Sequence, residues 1–352
     1  AGEWFKASGE LKVDEELALE LGQLLALLEA APGRFIPLEG GDFLALSASL
    51  RRQLDALARA TERKGGATRL HSLASGLLEP LLEHAGQVKV DRGWRRQVAL
   101  LAGAPEDLAA PDTLKAELRP YQLDGLGWLA RLAAAGIGAC LADDMGLGKT
   151  VQALALLLHR LGAAGDEGKP TLVVAPTSVC GGWLAEIWRF APTLRCVRFG
   201  LGDRDKALAD LGPADVVVCS YGLLQSEVAR LSEVAWGALI LDEAQAIKNP
   251  KTNRHKAARA LKADFRLAMT GTPIENNLGE LWALFDFLNP GLLGTWRRFS
   301  QRYAAPVDAG QREVGAQLRR LVLPYILRRT KTNVLADLPP RTDVTVTVDL
   351  GP

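Results

Sequence analysis

The sequence is poor in the residue types that build metal clusters, disulfides and membrane spans. Its four cysteines form no C-x-x-C pair, and all but Cys180 lie in or beside apolar runs that we predict to be strands. This placement favours buried free thiols in a reducing compartment. The four histidines are scattered, which is typical of exposed or core positions. Because no apolar run is long enough to span a bilayer and the N-terminus has no signal-peptide form, we expect a cytoplasmic protein without a membrane partner.

The chain also lacks a strong excess of either charge. Lysine and arginine total 42 and aspartate and glutamate 41, which gives a formal net charge of +1. Any contact with nucleic acid must therefore come from a local patch, because the surface as a whole is not basic. The length of 352 residues predicts two compact units, and the hydrophobic content of 48% is enough for a substantial core. The sequence begins with Ala1 rather than Met, and we interpret it as a fragment.

Residues 1–110 are predicted to form a small accessory domain of helices and one β-hairpin. Apolar side chains at helical spacing predict the first helix, and Ser47 is placed to cap the second. The hairpin consists of RFIPL and DFLAL around a turn at 39–41. The region carries no recognisable catalytic motif, and the Pro- and Ala-rich residues after it are predicted to be a linker. The predicted helices lie at 13–30, 47–60, near 71–83 and near 92–102, and the linker at 103–113.

From residue 114 onwards, apolar strands alternate with helices. Continuous apolar strands between helices predict a parallel sheet covered on both faces, with ligands bound at the carboxyl ends of the strands. Strict alternation of apolar and polar residues at 342–350 predicts one more strand, which would begin a domain that is cut short. The predicted strands of the main sheet are 138–142, 171–175, 196–199, 215–219, 238–241 and 265–269. The predicted helices are 121–135, 151–161, 179–190, 203–211, 252–261 and 278–288.

The stretch LADDMGLGKT at 141–150 has the form of a phosphate-binding loop. It lies between an apolar strand and an Ala/Leu-rich helix, which is the context that such a loop requires. Glycines allow backbone N–H groups to turn towards phosphates, and the helix N-terminus adds favourable partial charge. Lys149 is expected to neutralise the β- and γ-phosphates, and the Thr150 hydroxyl to ligate Mg²⁺. Asp143 stands where the general pattern has glycine, which favours a helicase-type ATPase over a kinase or GTPase.

A second acidic motif follows the apolar strand at 239–241. Asp242, at the carboxyl end of that strand and beside the strand of the glycine loop, is expected to hold Mg²⁺ through water. The adjacent Glu243 is expected to position and polarise the attacking water. Acidic residues are also common at helix N-termini, so a DE pair alone would be weak support for catalysis. Together with the glycine loop it predicts an ATPase with Lys149, Asp242 and Glu243 as catalytic residues.

The motifs follow the order found in Swi/Snf-related ATPases of helicase superfamily two, and residues 114–350 resemble the first motor lobe of that family. LRPYQLDGLGWL resembles the adenine-recognition segment, and DDMGLGKT the first motif. DEAQAIKN resembles the second motif and TGTPIEN the third, which couples hydrolysis to lobe movement. LRRTKTNVLADLPP resembles the segment that leads to the second lobe. The DEAQ form and the helical N-terminal unit look most like bacterial members.

The resemblance implies an α/β fold: a RecA-like P-loop three-layer sandwich with a mostly parallel sheet, preceded by a small, mainly helical α+β domain. It divides the chain into an accessory domain at 1–110, a first ATPase lobe at 111–341 and the start of a truncated second lobe at 342–352. It implies ATP and Mg²⁺ as cofactors, with Gln122 reading the adenine edge and Thr150 and Asp242 binding the metal. The nucleotide-binding residues that it implies are Arg119, Tyr121, Gln122, Met145, Gly146, Leu147, Gly148, Lys149 and Thr150.

The resemblance also implies contacts with double-stranded DNA. Hydroxyls and N–H groups at strand ends suit phosphate contacts that carry no sequence information. A capping role for Thr177 or Ser178 is the alternative, and Trp183 is expected to pack in the core rather than on a base. The residues implied at the nucleic-acid backbone are Thr177, Ser178, Ser220, Tyr221, Lys248 and Asn249. Those implied in coupling are Gln245, Thr270, Gly271 and Thr272. The basic residues Arg328, Arg329 and Lys331 either touch DNA or brace the second lobe.

The function that this resemblance predicts is an ATP-dependent double-stranded DNA translocase, associated with the nucleoid, that moves or displaces DNA-bound proteins. Two alternatives stay open: a strand-separating helicase, and a nucleotide-gated binding module that regulates a partner such as RNA polymerase or another DNA-bound protein. The N-terminal unit is expected to be a partner surface or an autoinhibitory brake. Since the second lobe supplies an arginine finger typically worth about 10³–10⁵ in rate, little turnover is expected from the first lobe alone.

Overall fold

The computed structural model describes residues 4–8, 10–12, 18–31, 33–38, 42–64, 67–82, 92–103, 108–164, 168–272 and 277–334. Its N-terminal region combines short strands with helices, as predicted. The strands are β1 (Trp4–Ala7), β2 (Glu10–Lys12), β3 (Ala18–Glu20), β4 (Phe35–Pro37), β5 (Phe43–Ala45), β6 (Thr61–Lys64) and β7 (Ala67–His71). The helices are α1 (Leu21–Ala30), α2 (Ala48–Ala60), α3 (Glu79–Leu82) and α4 (Arg92–Ala102), with a 3₁₀ helix at Ser72–Leu77.

Strands β1, β7 and β6 form an antiparallel sheet that local sequence patterns did not predict. The β4–β5 hairpin and α2 agree with the prediction, and the Ser47 hydroxyl accepts the Leu50 N–H at 3.1 Å at the start of α2. The first helix is shorter than predicted because β3 pairs with β2 before α1 begins. The helix predicted near 71–83 is instead the 3₁₀ helix followed by the single turn of α3. Residues 13–17, 39–41 and 83 lie outside the described residues.

The rest of the described chain forms an α/β lobe. Its strands are β8 (Ala139–Leu141), β9 (Thr171–Ala175), β10 (Arg195–Arg198), β11 (Asp215–Ser220), β12 (Trp236–Asp242), β13 (Ala263–Met269) and β14 (Ile326–Leu327). The helices within the sheet layers are α5 (Pro120–Ala134), α6 (Lys149–Ala164), α7 (Thr177–Phe190), α8 (Arg204–Leu208), α9 (Tyr221–Ser226), α10 (Val228–Glu233), α11 (Asn253–Ala260) and α12 (Leu278–Leu288). After these come α13 (Trp296–Phe299), a π-helical turn at Ser300–Ala304, α14 (Ala305–Asp308), α15 (Arg312–Val322) and α16 (Lys331–Val334).

The seven strands of the lobe are parallel throughout, in the order β10-β11-β9-β12-β13-β8-β14. Every strand and helix predicted between residues 114 and 288 occurs, with shifted bounds. Edge strand β14 was not predicted, since two residues carry no periodicity. Of the linker predicted at 103–113, residues 108–113 form no helix or strand, and residues 104–107 lie outside the described residues. The strand predicted at 342–350 lies outside the described residues.

Both faces of the sheet are buried. On β9, Val173 and Ala175 face one apolar layer with α5, α6 and α7, whereas Leu172 and Val174 face another with α9 and α11. All positions of β9 and β12 are buried, which explains why both strands are apolar apart from Thr171 at the start of β9 and Asp242 at the end of β12. Burying one such aliphatic side chain contributes roughly 1.5–3 kcal/mol before entropy losses. Two helical layers around a parallel sheet confirm the predicted three-layer α/β architecture.

The N-terminal region shares the first of these apolar layers and is also joined to the lobe by hydrogen bonds. Arg302 Nη1, from the π-helical turn, donates to the carbonyls of Arg59 and Thr61, both at 2.7 Å. The buried Tyr325 donates its hydroxyl to the Leu73 carbonyl at 2.6 Å. The 3₁₀ helix of the N-terminal region thereby contacts the segment just before β14.

The cysteines follow the sequence prediction. Cys140, Cys180 and Cys219 are buried free thiols and Cys196 is half-buried. Burial raises the pKa of the Cys140 thiol to about 12, so this thiol is a core residue rather than a nucleophile. Within the part of the chain that the structure describes, no helix has both the length and the apolar character needed to cross a bilayer.

Candidate functional site

Three adjacent strands end in register at one edge of the sheet. Leu141 of β8 pairs with Met269 of β13, which pairs with Asp242 of β12. The glycine loop leaves β8 at this point, Thr270 follows β13, and Glu243 follows β12. The sequence predicted that the strands of the glycine loop and of Asp242 are neighbours, and this was wrong, because β13 lies between them. Three motif segments therefore meet at this edge, with the third motif in the middle.

The glycine loop turns through two glycines in the left-handed region. Gly146 has φ +87° and Gly148 has φ +73°, conformations that side chains with a Cβ rarely adopt. Helix α6 begins directly afterwards at Lys149, so its N-terminal N–H groups border the loop. Met145 is 75% exposed, whereas Leu147 is fully buried and anchors the loop on the core. The predicted strand, loop and helix are confirmed, and they form an anion-binding arrangement.

The residues implied in adenine recognition pack directly against the glycine loop. The Tyr121 hydroxyl and Gln122 Nε2 each donate to the Leu147 carbonyl at 3.2 Å. Gln122 Oε1 accepts the backbone N–H of Arg119 at 2.9 Å, which fixes the amide at the start of α5. Arg119 itself is exposed at that helix start. The structure thus brings the two ends of the expected nucleotide site together.

Lys149 lies at the first position of α6 with its ammonium on the loop itself. Nζ donates to the carbonyls of Asp143 at 2.7 Å and Asp144 at 3.3 Å. The same charge acts on Asp242 by attracting its carboxylate. The predicted lysine and aspartate therefore share one edge of the sheet, although their strands are not neighbours.

Asp242 is a carboxylate that is only 7% exposed and is held by two N–H donors. Trp183 Nε1 donates to Oδ2 at 2.8 Å, and the Glu243 backbone N–H donates to Oδ1 at 2.9 Å. Burial raises the pKa of Asp242, and the charge of Glu243 raises it further, while the two hydrogen bonds and Lys149 oppose the rise. A buried carboxylate of this kind favours a bound cation, because a cation offsets the loss of hydration.

Glu243 has a strained backbone. Its φ of 48° and ψ of 55° lie in the left-handed region, which costs a non-glycine residue on the order of 1–3 kcal/mol. Such strain persists only where the surroundings fix it, and it is concentrated at functional sites. The turn places the Glu243 carboxylate after the strand end rather than in the sheet, which is the position expected of a group that orients water.

A chain of hydrogen bonds connects the second and third motifs. Gln245 Nε2 donates to Glu243 Oε2 at 2.8 Å, and Gln245 Oε1 accepts the Thr270 hydroxyl at 3.2 Å. The Thr272 N–H then donates to Thr270 Oγ1 at 3.1 Å. Gly271 lies between the two threonines, and the rest of the third motif lies outside the described residues. Three of the residues implied in coupling, Gln245, Thr270 and Thr272, are thus joined to Glu243 by a chain of hydrogen bonds.

Helix α7 contacts both residues that are expected to bind the metal. Trp183 donates a hydrogen bond to Asp242, and Glu186 lies close to Thr150. Burial raises the pKa of Glu186, the Thr150 hydroxyl lowers it, and the nearby charge of Asp242 raises it. Trp183 packs in the core as predicted, at 1% exposure. The sequence analysis did not predict either contact. The pattern that could have indicated them is the spacing of Trp183 and Glu186, because residues three positions apart lie on one face of a helix.

Two of the residues implied in DNA contact lie free at the surface. Thr177 and Ser178 are exposed in the first turn of α7. The N-cap residue is Pro176 and no side chain caps the helix, so the alternative capping role for these hydroxyls is not supported. Ser220 does cap a helix, because its Oγ accepts the Leu223 N–H at 3.2 Å at the start of α9.

Two other side chains implied in DNA contact are directed inward. Tyr221 is 4% exposed and donates its hydroxyl to the Asp242 carbonyl at 2.8 Å. Lys248 is 14% exposed and pairs with Glu280 Oε2 at 3.3 Å. The structure corrects the prediction for the Tyr221 ring, which supports the Asp242 backbone instead of reaching the surface. The DNA contact of Lys248 finds no support in this position, whereas Asn249 is exposed.

The same combination of glycine loop, second motif and third motif defines a known family. The sequence profile of the SNF2-related domain matches residues 121–352. The chain belongs to the SNF2-related family. The resemblance that the motifs indicated is thereby confirmed.

Relatives of this SNF2-related chain are much longer than the chain itself. The "Putative ATP-dependent helicase/translocase YwqA" of Bacillus subtilis is 44% identical over 256 residues, which are 70% of this chain and 27% of that protein. The TATA-binding protein-associated factor MOT1 of Saccharomyces cerevisiae is 38% identical over 255 residues, which are 66% of this chain and 14% of that protein. The chain thus spans about a quarter or less of the relatives it matches.

A solved structure shows the same fold. The SWI2/SNF2 ATPase core of Sulfolobus solfataricus, in complex with dsDNA, has a TM-score of 0.61 at 42% identity and covers 66% of this chain and 49% of that chain. The match confirms the RecA-like fold of an SNF2-related lobe, and its partial coverage fits a first lobe.

Proposed function

We propose that this SNF2-related protein binds and hydrolyses ATP with Mg²⁺ at the edge where β8, β13 and β12 end. The observation that carries the proposal is the register of Leu141, Met269 and Asp242, since it aligns the three motif segments. The ATP-dependent activity named for the Bacillus subtilis relative supports it.

The glycine loop is proposed to hold the triphosphate. Lys149 would exchange its bonds to the Asp143 and Asp144 carbonyls for phosphate oxygens, and the N–H groups at the start of α6 would face the same charge. Gln122 would read the adenine edge, because its amide lies beside the loop. Tyr121 is proposed to pack against the base from the same helix turn.

The oxygen donors at this edge fit magnesium. Thr150 offers a hydroxyl and Asp242 a carboxylate, which are the hard ligands that Mg²⁺ takes in proteins. A magnesium ion held by these two residues would supply positive charge against the negative charge that develops on the phosphates. Trp183 orients Asp242 through its indole N–H, and Glu186 lies close to Thr150. Glu243 is proposed to position the attacking water and accept its proton. The Gln245–Thr270 hydrogen bond is proposed to couple the protonation or contacts of the Glu243 carboxylate to the conformation of the third motif.

The work done with ATP is proposed to be translocation along double-stranded DNA that moves or displaces bound proteins. The exposed hydroxyls of Thr177 and Ser178 suit contacts with the DNA backbone, which do not depend on sequence. The dsDNA bound in the Sulfolobus structure and the TATA-binding protein association named for MOT1 support this proposal. A second lobe in the full-length protein would complete the ATP site.

The test is the ATPase rate of the full-length protein on duplexes of increasing length. A tracking motor hydrolyses more ATP per binding event on a longer track, so we expect the rate to rise with length and then level off. A rate independent of length would contradict translocation and favour a nucleotide-gated binding module. A strand-displacement assay on the same duplexes, with and without a single-stranded end, tests the helicase alternative. Separation of the strands would support a helicase, and intact duplexes would support a translocase that does not separate strands.

A further inference from the structure

A short segment near the end of the described lobe runs beside the glycine loop. Strand β14 pairs with β8 through its two residues. The ladder continues beyond the strands, because the Ala142 N–H donates to the Leu327 carbonyl at 2.7 Å and the Asp144 N–H to the Arg329 carbonyl at 3.0 Å. The first residues of the loop are thus built into one ladder with the segment that leads towards the proposed second lobe.

The Arg329 side chain fills the space between this segment and the loop. It is 12% exposed and pairs with Asp143, whose side chain is fully buried. Nε donates to Asp143 Oδ1 at 3.0 Å and Nη2 to Gln152 Oε1 at 2.7 Å. Nη1 donates to the Tyr121 carbonyl, and the guanidinium lies over the Tyr121 ring at 5.1 Å from its centroid. One side chain therefore contacts the glycine loop, α6 and the proposed adenine-recognition segment.

The surroundings are shaped to this arginine. A Cβ at Gly125 of α5 would lie 2.2 Å from Gln152 Oε1 and 2.9 Å from Arg329 Nη2, so a larger residue would displace both groups. Gln152 is also fully buried and donates Nε2 to Asp143 Oδ2 at 3.3 Å. The carboxylate of Asp143 is thus held jointly by a cation and an amide away from water.

This pairing gives a reason for an acidic residue where phosphate-binding loops generally have glycine. Removing the partner of a buried carboxylate is strongly unfavourable, because the charge must then find water or a proton. The backbone carbonyl of the same Asp143 accepts Lys149 Nζ at 2.7 Å. A displacement of Asp143 would consequently move an acceptor that orients the catalytic lysine.

We propose that Arg329 is a positioning residue of the nucleotide site, which holds the glycine loop and Tyr121 in one arrangement and ties both to the segment that leads to the second lobe. The inference rests on the proposed function, because it assumes that the loop binds nucleotide. Arg329 touches no reacting atom and acts through Asp143 and Tyr121. The sequence left two roles open for Arg329, contact with DNA and bracing of the second lobe. The structure supports neither, since this guanidinium does not face outward to DNA and has its partners within the described lobe.

The test compares Arg329→Gln, Asp143→Asn and the double variant in the full-length protein, with Arg319→Gln as matched control because Arg319 is exposed on α15 of the same lobe. Equilibrium affinity for a fluorescent ATP analogue with Mg²⁺, KM and kcat, and thermal unfolding are measured. We expect Arg329→Gln to weaken affinity and raise KM by about tenfold, with a smaller effect on kcat. In the double variant, affinity and KM should return to within about threefold of the wild-type values. This variant removes the unpaired charge of Asp143 and keeps neutral hydrogen-bonding groups at both positions.

Arg319→Gln should change the affinity for the ATP analogue by less than about twofold, the scale of an exposed charge. If Arg329→Gln does not fold, Arg329→Lys replaces it, since lysine keeps the charge but lacks the planar fork. A folded Arg329 variant with affinity and KM within about twofold of wild type would overturn the proposal and leave only a structural ion pair. Absence of nucleotide binding by the unaltered protein would contradict the proposed function itself.

Discussion

The indole Nε1 of Trp183 donates to Asp242 Oδ2 at 2.8 Å, across 59 positions of sequence. Trp183 lies on α7, whose first residue is Thr177 at the surface. The two residues are about 9 Å apart along the helix axis. Helix α7 therefore joins the proposed DNA contact to the proposed metal ligand. If DNA binding displaced α7, the hydrogen bond from Trp183 to Asp242 would change as well.

Replacing Trp183 with Phe tests this link, because it removes the N–H and keeps an aromatic ring in the core. We expect kcat for ATP to fall by about tenfold and the Mg²⁺ requirement to rise, as is usual when a group that orients a metal ligand is lost. The measurement is the DNA-stimulated ATPase rate of the full-length protein as a function of Mg²⁺. Trp188→Phe, on the same helix with a side chain 67% exposed, is the matched control. Identical Mg²⁺ curves for the two variants would contradict a positioning role.

Glu243→Gln should separate hydrolysis from binding. The amide keeps the size of the side chain but cannot accept a proton, so we expect turnover to fall by about 10²–10⁴-fold while ATP affinity stays close to wild type. Lys149→Ala should instead lose affinity as well as turnover, since the ammonium that meets the phosphates is removed. Equilibrium binding of a fluorescent ATP analogue and single-turnover hydrolysis measure the two effects. Normal turnover in Glu243→Gln would remove the water-positioning role.

The elements that the sequence predicted correctly are those with a continuous local pattern. Strand β9 is buried at every position, so its four successive apolar residues between helices are enough to place it. The glycine loop was predictable because its spacing encodes two left-handed glycines and a helix start. Strands β6 and β7 were missed because TERK and ATRLH are charged and only partly alternating, and their partner β1 is remote in sequence.

Contacts between distant residues could not be predicted from local patterns. Asp143 and Arg329 are 186 positions apart, and the sequence showed only an unusual loop residue and one arginine among several. The order of strands in a sheet depends on which surfaces pack together rather than on their order along the chain. The position of β13 between β8 and β12 could therefore not be predicted from the sequence pattern either. The position of Tyr221 after a strand predicts a residue near DNA, yet burying its aromatic ring beside the Asp242 backbone is more favourable than exposing it.

His71 predicts a pH dependence of stability. It is buried at the end of β7, edge-on to Trp4 with the ring centroids 5.3 Å apart. Burial lowers the pKa of His71 from 6.5 to about 4, and the nearby Pro290 backbone opposes this shift in part. Because the folded pKa lies below the unfolded one, the unfolded state takes up the proton first. The contribution of His71 is therefore full above pH 6.5 and is lost as the pH falls towards about 4.

Between pH 7 and pH 5 we expect this group to lower the free energy of unfolding by roughly 2 kcal/mol. Denaturant unfolding of wild type and His71→Gln at both pH values measures it, since glutamine does not titrate. Carboxylates contribute equally to the two proteins, so the difference between them isolates the imidazole. Parallel losses of stability in wild type and variant would show that His71 is not the titrating group.

Arg302 holds the N-terminal region to the lobe through two backbone carbonyls, those of Arg59 and Thr61. Deleting residues 1–110 would expose the shared apolar layer, so a point variant is the cleaner test of this contact. We expect Arg302→Ala to lower the free energy of unfolding by about 1–3 kcal/mol, because carbonyls near the end of α2 lose a charged donor. Denaturant unfolding with an unchanged m-value measures the loss.

Arg297→Ala supplies the control, because Arg297 is exposed on the neighbouring α13 and has the same side chain. Its effect should stay within about 0.5 kcal/mol, as is usual for surface substitutions. If Arg302→Ala loses no more stability than Arg297→Ala, the two carbonyls are satisfied without the arginine. The N-terminal region would then be held by its apolar contacts and by its other polar contacts, such as the Tyr325 hydroxyl and the Arg298–Glu62 ion pair. The bonds of Arg302 to the two carbonyls would add nothing to its docking.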